Sequence, residues 1–153
     1  MEKSWAQKAG IGWIGKHTNL ITRDYGSWIF LAEIILDIDL IFDPIFEDDL
    51  CGSCTACIDH CPTNAIVDEY VLDSRKCISY LTIEHRGDFP VEYQGNLDSW
   101  IYGCDICQEV CPWNEKFSQK SIEDDFKPNP EILKKKKKDW KNLTLDELSL
   151  IHI

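Results

Sequence analysis

The stretch CGSCTACIDHCP, residues 51–62, contains four closely spaced cysteines and ends in a proline. Such a density predicts metal ligands or disulfides. The N-terminus lacks the basic, apolar and small-residue pattern of an export signal, so we interpret the cysteines as metal ligands in a reducing compartment. A second group, CDICQEVCP at 104–112, has only three cysteines, and Cys77 is the one that remains. The second group therefore cannot supply four ligands by itself.

The first group has the spacing C-x2-C-x2-C-x3-C-P of bacterial ferredoxins, in which three cysteines bind one cubane and the fourth binds the neighbouring cubane. The second group repeats the end of this pattern, and Cys77 is interpreted as its displaced first cysteine. The spacing predicts two [4Fe-4S] clusters that exchange their Cys-Pro cysteines. One cluster is expected on Cys51, Cys54, Cys57 and Cys111, and the other on Cys61, Cys77, Cys104 and Cys107.

Two zinc sites are the alternative, because cysteines two residues apart also suit tetrahedral zinc coordination. Zinc sites usually have two such pairs separated by a longer loop. The run of three cysteines followed by x3-Cys-Pro, with its ending repeated downstream, favours cubanes. Iron and acid-labile sulfide analysis distinguishes the two possibilities.

Composition and charge limit the remaining function classes. The chain of 153 residues is 44% hydrophobic and has six tryptophans, which indicates a globular core. A formal charge of −11 argues against general phosphate binding, and we interpret the run Lys134–Lys138 as a solvated helix end. The long apolar stretch 28–46 contains four carboxylates, so no membrane span is expected.

The pattern predicts an α+β fold. Trp5 and Ala9 have helical spacing before Gly10, which predicts a helix that ends at this glycine. NLITR from residue 19 and WIFLAEIIL from residue 28 predict two strands, the second buried on both faces. A further helix is expected from Glu131 through the lysines, and another start at residues 144–147.

Four segments are expected. Residues 1–48 form the last part of an α/β domain, residues 49–117 a bacterial ferredoxin-like module with two [4Fe-4S] clusters, and residues 118–147 a connector and helical tail. The final segment, 148–153 (LSLIHI), matches the translation of a sequencing-library adapter and is excluded from the fold.

Five ordered motifs closely resemble the epoxyqueuosine reductase family across residues 1–147. They are AGIGWIGKHTNLI (9–21), YGSWIFLAEI (25–34), CGSCTACIDHCPTNAI (51–66), CISYLTIEHRG (77–87) and IYGCDICQEVCPWN (101–114).

The resemblance implies a cobalamin-dependent enzyme that reduces epoxyqueuosine to queuosine at the wobble position of tRNA, with two [4Fe-4S] clusters delivering electrons to cobalamin. Residues 1–48 would then be the C-terminal piece of a cobalamin-binding domain. The resemblance places the proton-donating aspartate of the family upstream of Met1, the first residue of this chain. No catalytic residue is therefore expected here, and we expect a fragment, truncated at both ends and inactive alone.

The resemblance also implies contacts for the cofactor and the substrate. Ser79, Asp105 and Ile106 are candidate cobalamin contacts, although a cap, a solvated carboxylate and core packing explain them equally well. His85 and Arg86 are candidate tRNA contacts, with a surface salt bridge as the alternative for Arg86. His17 lies where the family often has Asn, so no role is assigned to it.

The expected partners are tRNAs for Asp, Asn, His and Tyr that carry epoxyqueuosine, and an electron donor such as flavodoxin or a reductase. We expect a cytoplasmic monomer with no membrane association. Two other functions stay open at this point. One is a stand-alone two-cluster electron carrier, which the long insertion between Cys77 and Cys104 disfavours. The other is a corrinoid reductive dehalogenase, which is typically exported.

Overall fold

The computed structural model describes residues 2–93, 97, 100–128, 130–136 and 139. These residues form short helices and two small antiparallel sheets, which confirms the mixed helix and strand class. The chain divides into two compact units, Met1–Gln119 and Lys120–Ile153. Both cysteine groups lie in the first unit. Among the described residues, no helix is long and apolar enough to cross a membrane.

The N-terminal segment is a helix followed by a small hairpin. Helix α1 spans Glu2–Lys8, and Gly10 follows with a φ of +74°, which confirms the predicted helix and its end. Strand β1, Trp13–Ile14, pairs antiparallel with β2, Leu20–Ile21. The connecting turn is closed by a hydrogen bond from Gly15 N to Asn19 O at 2.9 Å.

The second predicted strand is absent. Within residues 28–46 the structure has no strand, and Phe30, Ile35 and Ile41 are at least 90% exposed. The prediction of a strand buried on both faces was therefore wrong for this chain. An apolar strand needs neighbouring strands and covering layers, and each described sheet has only two strands. The apolar sequence alone does not supply that partner.

The cysteine-rich segment contains two similar helical turns. Helix α2 spans Ala56–Asp59, and strands β3, Ile66–Asp68, and β4, Val71–Leu72, form an antiparallel pair after it. Helix α3, Ile78–Ile83, follows a 3-10 turn at Ser74–Lys76, and a second 3-10 turn spans Val91–Tyr93. Helix α4, Ile106–Glu109, packs on α2 and precedes α5, Pro112–Phe117.

An aromatic core lies against this segment. Trp13 is almost fully buried and packs with Ile21 and Cys111. Its ring stacks on Phe46 with centroids 5.6 Å apart and meets Trp113 edge-on at 4.8 Å. This core joins the N-terminal hairpin to one of the cysteine sets.

The second unit contains a 3-10 turn at Asp124–Phe126 and helix α6, Pro130–Leu133. The helix predicted to continue through the lysines is shorter, because Lys134–Lys136 are not helical. Adjacent like charges on one helix repel each other, which favours an early end. The helix start predicted at 144–147 and the segment 148–153 lie outside the described residues.

Candidate metal centres

The eight cysteines line two cavities, four in each. The first cavity, of about 240 Å³, is lined by the first set, which consists of Cys51, Cys54, Cys57 and Cys111. The second cavity, of about 330 Å³, is lined by the second set, which consists of Cys61, Cys77, Cys104 and Cys107. These are the sets that the spacing predicts.

Two short helices separate the sets. Cys57 lies inside α2, and its side chain faces the first cavity. Cys61 follows the end of α2, where its N–H donates to Ile58 O at 3.2 Å, and it lines the second cavity. Helix α4 repeats this geometry with Cys107 in the second cavity and Cys111 in the first. The Cys-Pro cysteines are therefore exchanged between the cavities.

Burial and mutual proximity raise the pKa of the central thiols. Burial, followed by the neighbouring Cys51, Cys111 and Cys54, raises the pKa of Cys57 to about 11. Burial, followed mainly by Cys104 and Cys77, raises the pKa of Cys107 to about 12. Four thiolates in such a space require a strongly cationic group at their centre, which the iron of a cluster supplies.

The donor sets suit cubane clusters. Each set of thiols lines a cavity, and four cysteine thiolates are the usual ligands of a cubane. The N–H of Ala65 also donates to Cys61 Sγ at 3.2 Å, a contact typical of cluster ligands. The residues present fit two [4Fe-4S] clusters.

The candidate cobalamin contacts lie together. Ser79, Asp105 and Ile106 all line the second cavity, beside the second set. Ser79 is on α3, whereas Asp105 immediately precedes α4. Burial raises the pKa of the Asp105 carboxyl. The structure thus brings three separately predicted residues into one wall.

The two candidate tRNA residues have different surroundings. His85 lines a surface cavity with Arg75, Lys76 and Tyr80, and its Nε2 lies 3.0 Å from Asp88 O. The Arg86 guanidinium donates to the carbonyls of Ile83, Glu84 and His85 at the end of α3. His85 therefore lies in a surface cavity whose charged lining is mixed, because Asp73 and Glu92 lie there with Arg75 and Lys76, while Arg86 caps a helix end.

The expected position of the proton donor falls outside the part of the chain that the structure describes. The sequence resemblance places the proton-donating aspartate upstream of Met1, and Met1 itself is not among the described residues, which begin at Glu2 in helix α1. That this chain contains no catalytic residue therefore stays a prediction.

Sequence reasoning missed Lys16. Its side chain is 3% exposed and lines the first cavity, and Nζ donates to Gly52 O and Glu69 Oε1, both at 2.7 Å. The hydrogen bond to Glu69 is the main cause that raises the pKa of Lys16, and Cys51 adds to it. A lysine in the turn of an otherwise apolar hairpin was the signal available in the sequence.

Sequence reasoning also left His17 without a role. His17 is 4% exposed and lines both cavities. Its Nδ1 accepts a hydrogen bond from Asn19 N at 3.1 Å, while Nε2 is buried with no hydrogen-bond partner among the described residues. Burial, assisted by the nearby charge of Lys3, lowers the pKa of His17 to about 4. The ring is a buried, unsatisfied polar group between the two cysteine sets.

Comparison with known proteins agrees with this geometry. Residues 50–114 match the family model of the 4Fe-4S double cluster binding domain. This region is therefore a double-cluster iron–sulfur domain.

The full chain has more specific relatives. It is 54% identical to epoxyqueuosine reductase of Cellulophaga algicola, and the match covers 95% of this chain and 47% of the relative. It is 52% identical to epoxyqueuosine reductase of Synechocystis sp., and that match covers 86% of this chain and 47% of the relative. The chain is a homologue of the epoxyqueuosine reductases, as its motifs predicted. It spans about half the length of the curated relatives it matches.

Solved structures of the same family have the same fold. A crystal structure of epoxyqueuosine reductase with a tRNA-Tyr epoxyqueuosine-modified stem loop matches with a TM-score of 0.87 and 37% identity. The match covers 98% of this chain and 39% of that chain. Epoxyqueuosine reductase from Bacillus subtilis matches with a TM-score of 0.78 and 39% identity, over 86% of this chain and 35% of that one.

Proposed function

We propose that this chain is the electron-transfer part of an epoxyqueuosine reductase, an oxidoreductase that converts epoxyqueuosine to queuosine at the wobble position of tRNA. The observation that supports it most is the division of eight cysteines into two crossed sets, each lining its own cavity. Homology to epoxyqueuosine reductases over nearly the whole chain supports the substrate class.

In this proposal the first set binds one [4Fe-4S] cluster and the second set binds the other. When bound, the clusters supply one-electron transfer and cobalamin supplies a strongly reducing cobalt centre. The chain contributes thiolate ligands, and the burial of Cys57 and Cys107 keeps water away from them. Lys16 holds the Gly52 loop of the first site through its hydrogen bond.

The second cavity is the proposed meeting point with cobalamin. It extends beyond its cysteines to Ser79, Asp105 and Ile106, which would face the corrinoid. The hydroxyl and the carboxyl offer hydrogen bonds, and Ile106 offers an apolar contact. Residues 1–48 are proposed to belong to the cobalamin-binding domain, residues 49–117 to the cluster domain and residues 118–147 to a connector and tail.

The tRNA contact is proposed at the surface cavity that contains His85, where Lys76 is a second basic side chain, whereas Arg75 is paired with Asp73. Arg86 would have to leave its three carbonyls to reach a phosphate. The proposed substrates are tRNAs for Asp, Asn, His and Tyr, and the proposed electron donor is flavodoxin or a reductase. The whole enzyme is proposed to be a cytoplasmic monomer.

Anaerobic reconstitution of the 153-residue chain tests the cluster assignment. We expect about eight irons and about eight acid-labile sulfides per chain, as two cubanes require. Dithionite reduction should give the electron paramagnetic resonance (EPR) signals of two [4Fe-4S] centres. Two zinc ions without sulfide would contradict the proposal.

Cobalamin binding distinguishes the enzyme from a simple electron carrier. The chain extended upstream to its natural start is reconstituted and titrated with cob(II)alamin, and binding is followed by the EPR and visible spectra of the corrinoid. A saturable spectral change that depends on Asp105 and Ser79 is expected. Unchanged corrinoid spectra in the presence of eight bound irons would favour a carrier that does not bind the corrinoid.

A further inference from the structure

His17 lies in a wall that the two cysteine cavities share. It is in the turn between β1 and β2, and its side chain lines both cavities while only 4% of its surface is exposed. The turn is rigid, because Gly15 N donates to Asn19 O and Thr18 N donates to Gly15 O. The ring therefore has a fixed position beside both sets of thiols.

The hydrogen bonds of the ring determine where its proton lies. Asn19 N–H donates to His17 Nδ1 at 3.1 Å, so Nδ1 is the acceptor nitrogen. The ring proton is then on Nε2, which is buried and has no partner among the described residues. A buried donor without an acceptor is destabilising, because it has lost its hydrogen bonds to water and gained none in return. The Nε2–H group therefore needs an acceptor inside one of the cavities.

The residues around His17 favour the second cavity. Asn19 and Lys3 both line it, and Lys3 Nζ donates to Asn19 Oδ1 at 2.8 Å. Lys3 also interacts electrostatically with His17 and with Cys107 and Cys77 of the second set. The group Lys3, Asn19 and His17 thus forms a polar wall opposite those thiols.

We propose that His17 is a positioning residue that tunes the second cluster, with its Nε2–H donating a hydrogen bond to a sulfur of the [4Fe-4S] group held by Cys61, Cys77, Cys104 and Cys107. The inference rests on the proposed function, since it needs that cluster. Hydrogen bonds to cluster sulfur stabilise the more negative reduced state, so they raise the reduction potential. His17 then makes the second cluster easier to reduce.

A redox titration of the reconstituted chain, monitored by EPR, tests this role. His17→Leu removes the donor, and we expect the reduced-to-oxidised ratio of one cluster at a fixed potential to fall about tenfold, which is a shift of about 59 mV for one electron. His17→Gln keeps a donor and should restore most of the shift. The affected signal should be the one that Cys77→Ala removes, and the other cluster should keep its potential.

His60 provides a matched control. It lies between Cys57 and Cys61 in the sequence, but its ring is exposed and its Nδ1 lies 2.8 Å from Ala56 O. His60→Leu should leave both potentials unchanged. A shift equal to that of His17→Leu would overturn the proposal, because it would reflect general disturbance near the ligands.

A measurement on the unmodified sequence decides the matter if His17→Leu assembles no cluster. Protein labelled with 15N-histidine should show a weak nitrogen coupling to the reduced cluster in pulsed EPR, lost in His17→Gln and kept in His60→Gln. Unchanged potentials together with no nitrogen coupling would overturn the tuning role of His17. Eight bound irons in the same protein would leave the proposed function standing. Failure of the unmodified chain to bind iron and sulfide would instead overturn the proposed function.

Discussion

The two cysteine cavities contain equal numbers of thiols but have different walls. The first cavity is lined by Leu50, Trp113 and the buried Lys16, and it lies against the aromatic core around Trp13. The second is larger, and its mostly apolar lining also includes the polar side chains of Ser79 and Asp105. Four thiols determine that a cluster binds, whereas the wall determines what the cluster can meet. In the proposed function we therefore expect the first site to relay electrons and the second to contact another group.

The largest effects are expected from the crossed cysteines. Cys61→Ala should remove the second cluster although Cys61 belongs to the first sequence motif, and Cys111→Ala should remove the first. In each variant the reconstituted iron should fall from about eight to about four per chain.

Iron and sulfide analysis with EPR provides the measurement, and Cys51→Ala and Cys77→Ala identify the two signals. If Cys61→Ala and Cys51→Ala lose the same signal, the crossing is wrong. The two cavities would then each use the cysteines of one motif.

The hydrogen bonds of Asn114 join the segment after the hairpin to helices α4 and α5, and this joint is expected to matter for stability. Asn114 is 2% exposed, accepts from Ser27 N at 2.6 Å, and donates to Ser27 Oγ at 2.7 Å and Gln108 O at 2.8 Å. Asn114→Ala leaves these buried groups unsatisfied, so the free energy of unfolding should fall by about 3 kcal/mol. Urea unfolding of the reconstituted chain measures it.

The exposed neighbour Glu115 supplies the control, because Glu115→Ala should leave the urea midpoint nearly unchanged. The backbone of Gly26 also lies very close to Asn114, which indicates tight packing at this joint. A Cβ on Gly26, whose φ is +67°, would lie 2.1 Å from Asn114 Oδ1. Equal midpoints for the two variants would mean that the hydrogen bonds of Asn114 do not stabilise the fold.

Lys16 is expected to tune the first cavity alone. Its buried ammonium lies close to Cys51, and a cation favours the more negative reduced cluster. Lys16→Met should lower the potential of the first cluster and leave the second unchanged, as followed by EPR redox titration. Lys8 is exposed, so Lys8→Met is the control and should leave both potentials unchanged. Equal shifts of both potentials in Lys16→Met would mean that Lys16 does not act on the first cluster alone.

The division of the closely spaced cysteines between the two cavities could be predicted from sequence because their spacing is local. Cys57 and Cys61 are separated by the end of one short helix, and this turn is enough to point them into different cavities. The end of α1 at Gly10 was predictable for the same reason.

Features that depend on distant residues were not predictable in this way. The segment 28–46 has the composition of a buried strand, yet strand formation depends on partners that its own sequence does not specify. The roles of Lys16 and His17 depend on what lies opposite the hairpin turn, and the sequence spacing contains no such information. The sequence motifs therefore identified the clusters better than the walls that surround them.

The smallest effect is expected from changing a residue that lies between two paired cysteines, at a position where the two cysteine motifs differ. Thr55 and Ala56 lie between Cys54 and Cys57, whereas Asp105 and Ile106 occupy the equivalent positions in the second motif. Asp105→Thr gives the second motif the residue of the first without touching a ligand. If the wall of the second cavity meets cobalamin, affinity for cob(II)alamin should fall about three- to tenfold, or about 0.7–1.4 kcal/mol, while about eight irons remain.

The reverse change, Thr55→Asp, is the matched control for this prediction. It adds a carboxylate at the equivalent position beside the first set, where Thr55 Oγ1 now donates to Asp59 Oδ2 at 2.7 Å. Affinity for cob(II)alamin should stay the same, since the first cavity is not the proposed corrinoid site. If Thr55→Asp weakens binding as much as Asp105→Thr, general disturbance of the cysteine motifs accounts for the loss, since the two substitutions change the net charge in opposite directions. A loss of cob(II)alamin affinity in Asp105→Thr alone would indicate that the wall of the second cavity contacts the corrinoid, because Ser79 and Ile106 line that cavity as well.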